Sequence, residues 1–344
     1  MRGGSTYPAL VDTAAFDYDL PPERIAQTPV EPRDAARLLV DRGPCCAPDH
    51  ARVADLARFF GPGDVVVLNE TRVLAARLAL VRASGGAVEV LLLAPRGDRR
   101  WEALARPSRR LRPGETLLDP ESRPTVQLVE SLGEGRWAVD LVGIEPAEEL
   151  LARVGQVPLP PYITVPLADA ERYQTVYARQ PGSVAAPTAG LHLTGAVLDG
   201  LRRAGASVVM LDLAVGLGTF RPIVAERVED HHMHAETYSI PEATVEAVRA
   251  AERVCAVGTT SLRALESWAA SGEPAGETSL YLRRGSPIRV VDRLLTNFHV
   301  PRSSLLVLVD AFVGDRWRDL YAEALAGGYR FLSFGDAMLL ERST

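Results

Sequence analysis

A chain of 344 residues that is 47% hydrophobic and 24% charged can build two domains with sizeable cores, and it is too apolar to be mainly disordered. Its formal net charge of −6 argues against the all-round positive potential of a non-specific DNA binder, and no apolar run nears the roughly 20 residues that span a bilayer. All 38 basic residues are arginine, which excludes a lysine Schiff base, a Walker A lysine and a lysine general base.

The opening stretch Met1 to Leu10 lacks the basic-then-apolar order of a signal peptide. Cys45, Cys46 and Cys255 make neither a disulfide framework nor a CxxC pair. A cytoplasmic protein without a membrane partner is expected. In chain order, the first clear strand is Asp64 to Leu68, a continuous apolar run bounded by Gly61-Pro62-Gly63 and by Asn69-Glu70-Thr71-Arg72. From Arg77 to Val142 the runs ARLALVRA, AVEVLLLA, WEALAR, TVQLVES and RWAVDLVG follow one another with glycine turns and no helix between them. That pattern predicts a small antiparallel β-barrel inserted into a larger fold. Within it, Arg96, Arg99, Arg100, Arg106, Arg109, Arg110 and Arg112 surround Trp101. Arginines can clamp phosphates and Trp101 can stack on a base, but a solvated hairpin face explains the same residues.

After Pro146 the pattern becomes α/β. Helices are predicted at Ala147 to Val154, Thr194 to Ala204, Glu242 to Arg253, Thr259 to Ala269 and Leu320 to Ala326. Strands are predicted at Val208 to Val215, Val254 to Val257, Ile288 to Val291 and Leu305 to Val309. The fold class is therefore α/β, a mixed sheet with helices plus the inserted antiparallel β-barrel, with ligands near the strand ends. The expected division is a discontinuous main domain of residues 1–76 and 147–344 around an insert of residues 77–146 that offers a possible RNA contact.

Five segments can carry chemistry. Ala185-Ala186-Pro187-Thr188-Ala189-Gly190-Leu191-His192 joins small residues and a forced turn to a titratable histidine, with Gly190 free to take a positive φ. Val215-Gly216-Leu217-Gly218-Thr219-Phe220 places two glycines after a strand, yet Arg221-Pro222 follows where a dinucleotide fingerprint needs a third glycine and a helix. Ala256-Val257-Gly258-Thr259-Thr260-Ser261-Leu262-Arg263 is a strand, a turn and a helix start; its hydroxyls can cap the helix, and the same N-terminus suits a carboxylate or phosphate. Glu266, three residues after Arg263, is placed for a helix-face ion pair. In His231-His232-Met233-His234-Ala235-Glu236 an extended backbone would put His232, His234 and Glu236 on one face, as a metal site or a polar active-site strand requires. Thr296-Asn297-Phe298-His299 adds a further histidine after a strand.

Taken together, FDYDLPPERIAQ, DVVVLNETRV, GGAVEVLLL, PLPPYI, ERYQTVYA, GSVAAPTAGLH, VGLGTF, HHMHAE, AVGTTSLRALES, TNFHVPRSSLL and YRFLSFGDAML make the chain resemble the S-adenosylmethionine:tRNA ribosyltransferase-isomerase family of queuosine biosynthesis, from about Phe16 to Leu340. The resemblance implies transfer and isomerisation of the ribosyl moiety of S-adenosylmethionine onto 7-aminomethyl-7-deazaguanine in tRNA, giving epoxyqueuosine-tRNA, adenine and methionine. The partners so implied are tRNA and S-adenosylmethionine as co-substrate. No cofactor or metal is expected, and the chain is expected to be a monomer.

For that chemistry His192, His234 and His299 are the expected acid and base, with Glu236 orienting an imidazole or facing the sulfonium. Thr259, Thr260, Ser261 and Arg263 are placed to hold the methionine carboxylate, and Arg72, Tyr173, Gln174 and Tyr177 to contact nucleoside or RNA. Thr188, Gly216, Gly218, Thr219 and Asn297 complete the expected substrate-binding set. The chain departs from the family pattern at Ala214, where a histidine is common, at Leu282-Arg283-Arg284-Gly285-Ser286, at Glu70 and at Thr164-Val165. Those departures leave a second reading, a diverged non-catalytic RNA- or nucleoside-binding homologue. The histidine cluster leaves a third, a metal hydrolase.

Overall fold

The structure, a computed structural model, describes residues 11–44, 46–216 and 222–343. It divides into two compact units, one of Met1–Thr71, Pro161–Gln180 and Ala186–Thr344, the other of Arg72–Pro160 with Pro181–Ala185.

Among the described residues the larger unit holds a nine-stranded mixed sheet. Its order is Ala275–Thr278, Glu236–Ser239, Ser207–Leu213, Asp64–Asn69, Arg253–Val257, Arg293–Asn297, Ala337–Glu341, Arg37–Val40 and Asp49–Arg52. The four strands from Ser207–Leu213 to Arg293–Asn297 run parallel to one another. Asp64–Asn69 is buried at every position, as expected of a strand covered on both faces. One face packs Leu38, Val66, Leu68, Val257, Leu295 and Leu339 against Leu193, Val197 and Leu201 of the turn and helix that follow His192. No helix among the described residues is long and apolar enough to cross a membrane.

The smaller unit is a closed antiparallel barrel. Around it run Arg77–Arg82, Ala87–Pro95, Arg100–Arg106, Arg136–Leu141, Pro124–Gly133 and Thr116–Leu118, and Val81 opposite Leu118 closes the ring. Alternation fills the interior, as with Trp101, Ala103 and Ala105 on one strand and Trp137, Val139 and Leu141 on its neighbour. Trp101 is thus a core residue and does not face a base. Of the arginines around it, Arg96 pairs with Glu102 at 2.6 Å and Arg100 with Asp140 at 2.8 Å. This unit is wider than the insert expected at residues 77–146. The helix Ala147–Val154, expected in the main domain, belongs to it, because Gly155 and Gln156 pair with Leu78 and Arg77 and Arg153 binds Asp119 at 2.5 Å.

Two predicted strands of the larger unit are not strands. Leu305 to Val309 lies in the helix Ser304–Val313, where Ser303 is the N-cap and accepts from the Leu306 N–H at 3.3 Å. Most of that helix is buried, so its continuous apolar run carries no helical period. Ile288 to Val291 is irregular because the Glu266 carboxylate takes the N–H groups of Arg289, Val290 and Val291 at 2.7–2.9 Å, leaving none for a ladder. Glu266 is therefore not paired with Arg263.

Candidate functional site

Four chemistry-bearing segments leave the sheet at one edge, because the parallel strands that carry them all point the same way. Asn69 ends one strand, Gly216 follows the next, Gly258 turns directly into the helix Thr259–Ser271, and Asn297 leads to His299. Gly258 has φ +88°, a conformation that side-chain-bearing residues resist, which permits the immediate strand-to-helix turn.

The 3₁₀ turn Thr188–His192 supplies the first part of the site. The Thr188 hydroxyl donates to Asn297 Oδ1 at 2.9 Å, and Asn297 Nδ2 donates to His192 Nε2 at 2.8 Å and to the Leu332 carbonyl at 3.3 Å. With Nε2 accepting, a neutral His192 carries its proton on Nδ1. Burial lowers its pKa to about 4, and the charges of Arg330, Arg172 and Arg33 add to that. His192, Arg33 and Arg172 line a small hollow with Pro29, Ser333 and Phe334. Gly190 does not take a positive φ. It is needed because a Cβ there would lie 2.0 Å from Tyr177 Oη and 2.9 Å from Thr175 Cγ2. Gly190→Ala is expected to destabilise the fold by about 1–3 kcal/mol through overpacking, read as a lower urea midpoint at unchanged slope.

Glu236 anchors the second part. It is buried, its Oε1 accepts from the Gly216 N–H at 2.9 Å, and its Oε2 is ion-paired with Arg263. Beside this pair opens a cleft of about 260 Å³ lined by Gly216, Asp230, His231, His232, Met233, His234 and Glu236. The alternation expected through His231 to Glu236 is absent: the strand begins only at Glu236 and the histidines precede it in an irregular segment. The cleft nevertheless gathers His232, His234 and Glu236.

The other expected residues separate. Thr259, Thr260 and Arg263 line a recess next to the cleft, whereas the Ser261 hydroxyl donates to the Val257 carbonyl at 2.8 Å and is spent inside the helix. His299 is tied to Thr296 Oγ1 through Nε2 at 3.0 Å, and its backbone is held by Tyr18 and Tyr321. Burial lowers its pKa to about 3. Tyr173, Gln174 and Tyr177 are buried, with Tyr173 edge-on to Phe334. Arg72 falls in the smaller unit. Gly218 and Thr219 lie outside the described residues.

A model of the family described as queuosine biosynthesis protein matches residues 13–340. The chain belongs to this family. An S-adenosylmethionine:tRNA ribosyltransferase-isomerase of Rubrobacter xylanophilus is 56% identical over 95% of this chain and 97% of its own length. One from Thermus thermophilus is 50% identical, covering 95% and 98%. The crystal structure of an S-adenosylmethionine tRNA ribosyltransferase from Thermotoga maritima superposes with a TM-score of 0.54 at 32% identity, covering 94% of this chain and 99% of that one.

Within the queuosine biosynthesis family, the departures at Ala214 and residues 282–286 sit in a chain whose relatives carry an enzyme's name over nearly their whole length, and the non-catalytic reading draws no support from them. Among the described residues no three His, Cys, Asp or Glu side chains converge as a metal ion needs, so nothing there supports the metal hydrolase. Asp212 at these strand ends and the arginines around His192 are not among the residues the sequence singles out. Asp212 has Oδ1 buried without a hydrogen-bond partner, and burial and the Glu70 charge raise its pKa. An acidic residue inside the run VVMLDLAV was the available signal. The arginines around His192 gave none, since they come from three distant segments.

Proposed function

We propose that this chain transfers and isomerises the ribosyl moiety of S-adenosylmethionine onto 7-aminomethyl-7-deazaguanine in tRNA, giving epoxyqueuosine-tRNA and releasing adenine and methionine. The observation that carries this reading is the Thr188–Asn297–His192 relay at the sheet edge, in a chain 56% identical to such an enzyme over 95% of its length.

The sulfonium acidifies the C5′ protons of the substrate, so a modest base starts the elimination of adenine. The amine of the modified base then attacks the sugar, and closure of the epoxide expels methionine. His192 is suited to stabilise the leaving group by hydrogen bonding rather than by proton donation, since its neutral ring presents Nδ1–H while Asn297 occupies Nε2, and the proton adenine gains comes from solvent. It thereby hydrogen-bonds to the departing adenine. His234, exposed in the cleft, is suited to take the C5′ proton. Glu236, fixed by Gly216 and Arg263, supplies negative charge toward the sulfonium. In the barrel, Arg106, Arg109, Arg110 and Arg112 are exposed, which suits contact with the phosphates of tRNA.

The test is release of adenine and methionine from S-adenosylmethionine in the presence of tRNA bearing the aminomethyl-deazaguanine base, with tRNA omitted as control. Release that requires that tRNA supports the reading. A folded protein that binds the tRNA and releases neither product removes it.

A further inference from the structure

The recess next to the cleft has room for about 10 Å³, the space of one water-sized polar group. Three buried polar atoms on its walls have no hydrogen-bond partner among the described residues: Thr260 Oγ1, Arg263 Nη2 and Tyr281 Oη. Arg263 is 3% exposed and Thr260 6% exposed, so bulk solvent does not reach them, and whatever pairs with them must enter the recess. The guanidinium is also fixed in place, because Nη1 is committed to Glu236 and Nε donates to the Leu280 carbonyl at 3.1 Å. Nη2 is the donor left over. Buried polar groups are almost always paired, and three orphans around one recess point to an acceptor that belongs there.

The helix Thr259–Ser271 opens at the same place with Gly258 at its N-cap and no side-chain cap, so its positive end adds to the donors. The remaining wall is mainly apolar, formed by Leu280, Leu282, Leu305 and Leu308 with Thr259 and Ser304 among them, and Met233 is shared between recess and cleft. Polar donors at the end of an apolar passage fit a carboxylate carried on a short thioether chain.

We infer that Thr260, Arg263 and Tyr281 form the seat of the α-carboxylate of the substrate's methionyl portion, whose methylenes and sulfur pass Met233 into the cleft. This rests on the proposed S-adenosylmethionine chemistry and adds Tyr281 and Met233 to the residues that recognise the substrate. It follows that free L-methionine occupies the same seat.

The test is calorimetric titration of the full chain with L-methionine and with L-methioninol, which lacks the carboxylate. Methioninol is expected to bind at least about tenfold more weakly. Thr260→Val and Tyr281→Phe each remove an orphaned hydroxyl. Both are therefore expected to keep or raise the melting temperature of the ligand-free protein while weakening methionine and raising KM for S-adenosylmethionine about fivefold. A purely structural role moves stability and binding in the same direction. Equal binding of the two probes, no methionine binding, or unchanged methionine affinity in both variants overturns the seat. Carboxylate-dependent methionine binding without tRNA-dependent adenine release upholds the seat and removes the transferase reading. Adenine release with carboxylate-independent binding does the reverse.

Discussion

His192→Ala is expected to lower the rate of tRNA-dependent adenine release by roughly 10²- to 10³-fold, the range of a lost preorganised hydrogen-bond donor. The imidazole is buried and oriented by Asn297, and Asn297 is oriented in turn by Thr188 and the Leu332 carbonyl. Such a relay fixes which nitrogen carries the proton, and removing the ring removes the donor with it. Single-turnover adenine release is the measurement, with circular dichroism to verify folding. His192→Gln, which keeps a partner for Asn297, separates loss of chemistry from loss of packing. Near-wild-type rates in both variants would exclude His192 from the mechanism.

The same residue carries a pH signature. Its folded pKa is about 4 against 6.5 for an unperturbed histidine, so the native ring stays neutral where the unfolded one takes a proton. Its contribution is fully present above about pH 6.5 and is lost as pH falls toward 4. Urea midpoints measured across that window are expected to fall for the wild type and to fall less steeply for His192→Gln. His299, also buried and neutral with a pKa of about 3, accounts for part of the slope that remains.

Glu236→Ala is the second large effect, and it acts on stability. It leaves the Arg263 guanidinium, 4% exposed as a side chain, without a counter-ion, and the Gly216 N–H without its acceptor. Breaking a buried pair from one side is expected to destabilise by about 3–5 kcal/mol, because the remaining charge keeps its desolvation cost and loses its partner. Equilibrium urea unfolding measures it. Glu236→Gln retains an acceptor for Gly216 and is expected to fall between wild type and alanine. A loss below about 1 kcal/mol in the alanine variant would show that the pair is not a buried electrostatic anchor.

Much of the fold was readable where a single strand or helix carries its own period. The barrel strands alternate inside and out, and Asp64–Asn69 is a short apolar run between turns. The failures have specific causes. Thr116–Leu118, which closes the barrel, is too short to show alternation. Arg37–Val40 finds its parallel neighbour in Ala337–Glu341, far away in sequence, and nothing local announces that pairing. At the site, Thr188, His192 and Asn297 were each visible as candidates, but their hydrogen-bonded order depends on which strands lie side by side. The pairing of Arg263 with Glu236 rather than Glu266 is of the same kind, since both carboxylates were in view and only topology chooses between them.

The smaller unit is nearly all one uninterrupted stretch, Arg72–Pro160, whose strands close on themselves through Val81 and Leu118. A ring of strands needs no neighbour to complete its ladder, so this stretch satisfies its own backbone hydrogen bonds and leaves no open strand edge to be covered. Its exposed Arg109, Arg110 and Arg112 stand outside the strands and can be exchanged without opening the ring.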